Sequence, residues 1–252
     1  ALTLALVCVG GTTVIAGEAV PPGVIEAALA STQRPDADRA QDEPRKAAEF
    51  LEFLGVGPGQ TVLDAFAAGG YYTELLARIV GDSGRVIAYN NPPYANFAAK
   101  GIAARYADGR LPNVGQLTVA VDQLELAPAS LDAAIFVMSY HDLYWRPADG
   151  SWPPTDPRQL LGTLYGALKP GGVIVVQDHV AAPGGDPSEV VDKLHRIDPA
   201  TVRRDFEATG FEFAGESSML AHPDDDHTLQ VFDPAIRGHT DQFVFRFRKP
   251  RQ

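Results

Sequence analysis

The stretch from Thr61 to Tyr89, TVLDAFAAGGYYTELLARIVGDSGRVIAY, most constrains what this chain can fold into. A short apolar run ends at Asp64, a glycine pair then opens a helical segment, and a second apolar run ends at Tyr89. This order predicts a strand, a turn, a helix and a second strand, parallel to the first and reached by a right-handed crossover. A carboxylate at a strand end, beside a helix N-terminus, predicts a pocket there for a ribosyl or other polar ligand.

The rest of the chain continues this alternation of apolar runs and helical segments. Further strands are predicted at residues 117–121, 131–138, 173–176, 211–219 and 242–248, and helices at 24–30, 44–54, 96–106, 157–168, 188–197 and 199–209. Seven strands alternating with helices predict an α/β fold. Its sheet is doubly wound, seven-stranded and mostly parallel, with helices on both faces and an antiparallel final strand.

Length and charge restrict the organisation and the partners. The 252 residues are enough for one α/β domain, predicted at 45–252, after an N-terminal extension at 21–44. Lys and Arg number 21 against 32 Asp and Glu, a net charge of −11. This balance argues against nucleic acid or an anionic membrane surface as a general partner. The expected partner is a small-molecule substrate.

Residues 1–20 resemble a signal peptide. Residues 2–15 are apolar, which is too short to span a bilayer comfortably, and small residues follow at the expected cleavage position. The interpretation is export to the periplasm or outside the cell. Two alternatives stay open: a lipoprotein anchored at Cys8, for which Val7 is a poor preceding residue, and an ordinary buried N-terminal helix or strand.

Paired acidic and imidazole side chains follow two adjacent strands of the predicted sheet. His141 and Asp142 come after the fourth strand, Asp178 and His179 end the fifth, and His195 lies on a nearby predicted helix. The carboxyl ends of these strands should bring both pairs to one rim, where open α/β sheets bind ligands. The alternative is structural: these histidines hydrogen-bond to carbonyl groups at the strand ends or are buried on a helix face.

The order of motifs resembles one enzyme family. VLD, a glycine pair, TELLAR, GRVIAY, LDAAIF, LKPGGVIVV and FVFRFRKP are similar to class I S-adenosylmethionine-dependent methyltransferases over residues 45–249. More narrowly, HDLYW, QDHVA, LHRID, DDDHT and RGHTDQFVFRF resemble a group of bacterial predicted methyltransferases that often carry export signals. The resemblance implies the Rossmann-like methyltransferase fold and S-adenosylmethionine as the cofactor.

The resemblance also implies which residues bind the cofactor. Phe66 and Ala68 stand at the family's first two glycine positions, and only Gly70 matches the pattern. Asn90 replaces the acidic residue that binds the ribose hydroxyls, and Asp122 matches the position that faces adenine. The implied cofactor-binding residues are Asp64, Phe66, Ala68, Gly70, Tyr72, Thr73, Asn90, Asp122 and Tyr140.

The implied reaction is transfer of a methyl group to an oxygen or nitrogen of a small molecule. His141 is predicted as the general base with its pKa set by Asp142, while Asp178 or His179 orients the acceptor and His195 lies beside them. By resemblance to cation-dependent members of the family, Asp142, Asp178 and His179 are candidate ligands of a divalent metal.

A second interpretation keeps the fold and drops methyl transfer. Phe66, Asn90 and the apolar leader together favour an exported protein that uses the same rim as a metal-dependent hydrolase or as a small-molecule binding module. The run Asp224–Asp226 is expected to be a solvated turn, since it lacks the Gly and Glu of a calcium-binding loop.

Overall fold

The computed structural model describes residues 20–251 of the chain. Most of the predicted leader, including Cys8, lies outside these residues. The described strands are β1 (Thr61–Ala65), β2 (Arg85–Asn90), β3 (Val114–Thr118), β4 (Leu131–Val137), β5 (Leu168–His179), β6 (Glu212–Ser217) and β7 (Gln242–Arg248). The described helices are α1 (Val24–Leu29), α2 (Asp36–Arg39), α3 (Ala47–Leu54), α4 (Tyr71–Val80), α5 (Pro92–Phe97), α6 (Ala99–Arg105), α7 (Pro157–Ala167), α8 (Pro187–Leu194) and α9 (Pro199–Thr209).

The strands form one sheet in the order β3-β2-β1-β4-β5-β7-β6. Neighbours from β3 to β5 pair in parallel, whereas β7 runs antiparallel to both β5 and β6. The predicted doubly wound sheet with an antiparallel final strand is therefore confirmed. The chain order reverses between β1 and β4, and that is where open α/β sheets bind ligands.

Apolar side chains cover both faces of the sheet. On one face α7 and α9 contribute buried residues such as Leu160, Leu164 and Phe206. On the other face α1, α3 and α4 pack together, with Phe50, Leu51, Leu75 and Leu76 fully buried. The N-terminal extension thus packs against α4 and shares its core. No helix among residues 20–251 has the length and apolar character needed to cross a bilayer.

The predicted boundaries of β3 and β5 were wrong for local reasons. β3 occupies Val114–Thr118 instead of 117–121, because the chain leaves the sheet and enters a 3-10 turn at Val121–Gln123. β5 begins at Leu168, so that the glycine turn at 171–172 is part of the strand.

The prolines after β2 begin a helix where the sequence predicted a turn. Asn91 caps α5 by accepting a hydrogen bond from the Tyr94 amide at 2.9 Å, and the prolines occupy the first helical turn, where their missing N–H groups cost nothing. The helix predicted at 96–106 consequently appears as two short helices, which meet at Ala98.

Candidate active site

A cavity of about 940 Å³ opens at the carboxyl ends of β1, β4 and β5. Its turn end is lined by the main-chain turn from Phe66 to Gly70 after β1, and its histidine end by His141, His179 and His195. The volume lies within the ordinary range for small-ligand sites. The cavity therefore joins the turn after β1, where the sequence predicted cofactor binding, to the histidines, where it predicted catalytic residues.

Strained backbone is concentrated around this cavity. Eight non-glycine residues in the described chain have a positive φ, and four of them line the cavity: Phe66 (56°), Ala68 (47°), Met138 (50°) and His195 (51°). Such conformations cost on the order of 1–3 kcal/mol each and cluster at functional sites. Their position supports a functional role for this cavity.

The turn end reaches a left-handed geometry without the family's first two glycines. Phe66 and Ala68 adopt positive φ despite their side chains, and Gly70 follows with φ of 80°. A Cβ at Gly70 would lie 2.8 Å from the phenol oxygen of Tyr106, so a side chain at this position is excluded by both strain and space. The single glycine that matches the family pattern is the one that the structure requires.

Asn90 holds this turn in place. Its Oδ1 accepts a hydrogen bond from the Ala68 amide at 2.9 Å, and its Nδ2 donates to the Ala68 carbonyl at 3.3 Å. The side chain is buried and does not line the cavity. Both polar atoms of its amide bind the main chain, so the structure does not support the predicted contact of Asn90 with a ribose.

Asp64 supports the turn from beneath. The Thr73 hydroxyl donates to its carboxylate at 2.6 Å, and both side chains are buried. Burial raises the pKa of Asp64 to about 7, although the hydrogen bonds from Thr73 act in the opposite direction. Asp64 and Tyr72 line the cavity, whereas Thr73 contacts it only through Asp64.

An aromatic wall connects the two ends of the cavity. The Phe66 ring stacks on Tyr94 with centroids 5.1 Å apart, and Trp152 meets Tyr94 edge-on at 5.2 Å. The Tyr94 hydroxyl donates to Asp142 at the histidine end. A change at the turn can thus reach Asp142 through Phe66 and Tyr94.

Asp178 organises the histidine end. Its fully buried carboxylate accepts hydrogen bonds from the His141 amide at 2.9 Å, from His141 Nδ1 at 2.7 Å and from the His179 amide at 2.8 Å. Burial alone would raise the pKa of Asp178, but the His141 imidazolium outweighs it and holds this pKa below its ordinary value. Asp178 is consequently ionised and fixes the orientation of His141.

His141 carries a proton at neutral pH. Burial lowers its pKa, but Asp142, whose Oδ1 lies 3.4 Å from Nε2, and Asp178 on the other ring nitrogen outweigh burial and raise the pKa to about 9. Burial in turn raises the pKa of Asp142. A protonated imidazole has no free electron pair, so this environment does not favour the general-base role predicted for His141.

His179 is the neutral and oriented imidazole of the site. Burial, followed by the charges of His141 and Arg196, lowers its pKa to about 4 despite the opposing effect of Asp178. Its Nδ1 lies 2.9 Å from the Thr240 hydroxyl, which is also buried. The rings of His141 and His179 are 6.3 Å apart. Thr240 gave no signal in the sequence, since it lies 61 residues from its partner in an irregular segment.

The sequence predicted His195 within a helix at 188–197, but the residue directly follows the last residue of α8. It ends α8 in a left-handed conformation, and its ring lies 5.8 Å from that of His141 and 5.3 Å from that of Trp145. Burial, together with the charge of His141, lowers its pKa. His195 is therefore a second neutral imidazole that lines the cavity.

Two predicted cofactor residues lie outside the cavity. Asp122 is exposed on the 3-10 turn after β3, because that strand ends earlier than predicted. Tyr140 is fully buried, and its hydroxyl donates to Asp205 at 3.0 Å on the α9 side of the sheet. Neither side chain lines the cavity, so the structure does not support these two assignments.

The predicted metal site is absent from the described residues. Residues 20–251 contain no group of three or more His, Cys, Asp and Glu side chains arranged to hold an ion. The reason lies in the hydrogen bonds, since the Asp178 oxygens contact His141 and His179, Asp142 accepts from Tyr94, and His179 Nδ1 faces Thr240. The divalent-metal prediction for Asp142, Asp178 and His179 is therefore corrected.

A buried ion pair fixes the loop between β6 and β7. Arg196 is fully buried and lies 2.8 Å from the carboxylate of Asp225, so the expected solvated turn at 224–226 was wrong at its central residue. Asp225 also accepts from the amides of His227 and Asp241. This loop carries Val231 and Phe232, which line the cavity, and positions Thr240 beside His179.

Comparison with known proteins agrees with this fold. The family model of protein-L-isoaspartate(D-aspartate) O-methyltransferase matches residues 29–102, which is less than half of the chain. A comparison with curated proteins found no significant match. The matched segment contains the turn after β1 and the helix α4, so the sequence likeness lies at the turn end of the cavity.

Solved structures share the fold across most of the chain. A SAM-dependent methyltransferase from Aquifex aeolicus has a TM-score of 0.57 at 20% identity and covers 83% of this chain and 92% of its own. Phosphoethanolamine N-methyltransferase 2 of Haemonchus contortus, in complex with S-adenosyl-L-methionine, has a TM-score of 0.55 at 16% identity. The match covers 90% of this chain and 60% of the other. The [4+2]-cyclase SpnF has a TM-score of 0.58 at 17% identity, and the match covers 84% of this chain and 83% of the other.

The chain thus has the Rossmann-like fold of class I methyltransferases, and these comparisons support the prediction of an enzyme of that class. The cyclase shows that the same fold also serves a different reaction. Function must therefore be argued from the cavity itself.

Proposed function

We propose that this protein is an S-adenosylmethionine-dependent methyltransferase that acts on a small molecule. The observation that carries the proposal is the continuity of the cavity. One space joins the turn from Phe66 to Gly70 with the neutral imidazole of His179, and Tyr94 links both ends. A methyl donor at the turn and an acceptor at the histidines would then lie side by side, which is the arrangement that direct transfer requires.

The residues at the turn end fit this cofactor. Arg45 lines the cavity with its guanidinium 4.6 Å from the Tyr71 ring centre and has no carboxylate partner among residues 20–251, so it is available for the carboxylate of the methionine portion. Arg105, by contrast, is paired with Asp38 and Glu74. The half-buried Tyr94 ring, backed by the buried Phe66 ring, lines the cavity and offers an aromatic surface for adenine.

When bound, S-adenosylmethionine supplies an electrophilic methyl group on a sulfonium. The chain's own residues then hold the acceptor and remove its proton. His179, neutral and positioned by Thr240, accepts the proton at Nε2 when its Nδ1–H donates to the Thr240 hydroxyl. His141 stays protonated between Asp142 and Asp178 and donates hydrogen bonds. This arrangement places the base at the end of β5 instead of after β4.

The proposal is tested by titrating the folded protein with S-adenosylmethionine and with its demethylated product. Dissociation constants in the micromolar range, about −8 kcal/mol, are expected. The variant Gly70→Val closes the turn by strain and by contact with Tyr106 and should lose binding. Its fold is checked by circular dichroism, and Gly162→Val, an open position on α7, is the matched control. A folded wild-type chain that binds neither compound at millimolar concentration would refute the proposal.

A second candidate is a binding protein or enzyme of this fold that transfers no methyl group. It is favoured by Asn90, whose amide is occupied by Ala68 where the family pattern has a free carboxylate. The same titration separates the two functions. A cavity that binds aromatic ligands but neither form of the cofactor would support this second candidate.

A further inference from the structure

We infer that the histidine end of the cavity accepts an uncharged, flat aromatic molecule with a hydroxyl group, such as a phenol. This inference rests on the proposed function for the reaction, whereas the binding preference stands on the cavity alone. Its basis is a band of aromatic rings that leads from the surface to the neutral imidazoles, together with the distribution of charge along the cavity.

The aromatic band is continuous. Phe232 lies 5.2 Å from the His195 ring, His195 lies 5.3 Å from Trp145, and Trp145 lies 5.3 Å from Trp152. All four side chains line the cavity, and they come from three separate segments of the chain, since Trp145 and Trp152 share the segment before α7. Rings at these spacings offer faces and edges for another flat ring, which gains about 0.5–1.5 kcal/mol per aromatic pair beyond its buried area.

The outer rim of the cavity is apolar and exposed. Phe232 is 54% exposed and Phe97 is 86% exposed, and both line the cavity. They lie on different elements, Phe97 at the end of α5 and Phe232 on the loop fixed by Arg196 and Asp225. Large exposed aromatic side chains beside an opening are a feature of sites that bind apolar ligands.

Charge is distributed unequally along the cavity. Among its lining residues in the described chain, the arginines Arg45 and Arg105 both belong to the turn end, one over Tyr71 and one bonded to the Gly69 carbonyl at 2.9 Å. At the histidine end the imidazolium of His141 already lies between two carboxylates. A phosphate or carboxylate on the acceptor would find no free cation there and would face Asp142, so the site disfavours anionic acceptors.

The reaction balances with groups already named. The acceptor oxygen forms a bond to the methyl carbon as the carbon–sulfur bond breaks, and that electron pair stays on sulfur as a neutral thioether. The hydroxyl proton passes to Nε2 of His179 and then to solvent. No oxidant or reductant is needed. A hydroxyl at the inner end of a flat molecule, with its ring along Trp145 and His195, would place its oxygen near His179.

The two tryptophans of the chain, Trp145 and Trp152, both line this cavity, so their fluorescence reports binding without any reaction. The probes are 4-phenylphenol and its phosphate ester, titrated into the full-length protein with excitation at 295 nm. The phenol should change the emission and bind at least about tenfold more tightly than the ester, a difference of about 1.4 kcal/mol. Equal affinities, or tighter binding of the ester, would overturn the inference.

A pair of variants on one loop localises the site. Phe232→Ala should weaken 4-phenylphenol binding about fivefold to tenfold, because it removes the outer ring of the band. Leu229→Ala, an exposed apolar position on the same loop that does not line the cavity, should leave binding unchanged. An unchanged affinity of Phe232→Ala would also overturn the inference.

The two proposals fail separately. Binding of the phenol without binding of S-adenosylmethionine would refute the methyltransferase function and support the aromatic site. Binding of S-adenosylmethionine without a tryptophan response to the phenol would support the methyltransferase function and refute the aromatic site. With both bound, transfer of an isotopically labelled methyl group to the phenol oxygen, detected by mass spectrometry, is the expected product.

Discussion

The turn end and the histidine end of the cavity are built in different ways. At the turn end the ligand-facing groups are largely main chain, held by one glycine with φ of 80° and by the amide of Asn90. At the histidine end the geometry comes from buried side chains, with Asp178 accepting three hydrogen bonds and the imidazoles differing in protonation.

This difference explains why the turn departs from the family's glycine pattern and still keeps its shape. A main-chain site depends on backbone angles, which Phe66 and Ala68 adopt at a cost that Asn90 and the surrounding packing offset. A side-chain site depends on atom identity and charge. Apart from Gly70, where a side chain is excluded, substitutions should therefore have graded effects at the turn and severe effects at the histidines.

The largest expected effect is at His179. His179→Gln keeps a polar side chain but removes the proton acceptor, and turnover should fall about 10²- to 10⁴-fold with unchanged cofactor affinity. Steady-state kinetics and a cofactor titration measure both quantities. His239→Gln, an exposed position in the loop before β7, is the matched control. A variant that retains wild-type turnover would exclude His179 as the base.

The pH dependence of turnover should show the opposite charge states of the two imidazoles. Turnover should rise as pH increases through about 4, where His179 loses its proton, and fall above about 9, where His141 loses its own. A broad plateau between these values is expected. An acidic limb centred near 6.5, the ordinary value for histidine, would show that a different and less buried histidine acts as base.

Asn90→Asp tests whether the turn or the ribose determines this position. The carboxylate cannot donate to the Ala68 carbonyl and would lie against it, so the free energy of unfolding should fall by about 1–3 kcal/mol and cofactor binding should weaken. Urea unfolding and calorimetric titration measure the two effects. Gln159→Glu, the same amide-to-acid change at an exposed position on α7 outside the cavity, serves as the control. Tighter cofactor binding by Asn90→Asp would instead indicate that the acid reaches the ribose.

Ala68→Gly should have the smallest effect and the opposite sign. Ala68 has φ of 47°, a conformation that costs a side-chain-bearing residue about 1–2 kcal/mol, and glycine relieves that strain. The free energy of unfolding should rise by up to about 1 kcal/mol. Ala67→Gly, at the neighbouring position where φ is not positive, should lower it. If both variants were equally destabilised, strain at Ala68 would be excluded.

Much of the fold could be predicted from the sequence because buried parallel strands are continuous apolar runs. β4 was placed within one residue on this basis. The antiparallel strand β7 was placed from the alternation in QFVFRFR, and the meeting of His141, Asp178 and His179 followed from the strand ends. The start of α5 was missed because capping by Asn91 makes the prolines part of a helix, and the β3 boundary was wrong because the chain enters a 3-10 turn.

The roles of the site residues were less accessible from the sequence. The charge of His141 depends on two carboxylates that surround it in space, and the orientation of His179 depends on Thr240, which is distant in sequence. Asn90 looked like a weakened ribose ligand because periodicity does not show which way a strand-end amide is bonded. Contacts between distant segments determine all three.

The most direct test of the central claim is a crystal structure of the protein with the demethylated cofactor product. We expect the amino-acid portion beside Arg45 and the turn from Phe66 to Gly70, the adenine against the Tyr94 ring, and the sulfur facing His179. A product molecule bound outside this cavity, or within it with the sulfur directed away from the histidines, would refute the proposed function.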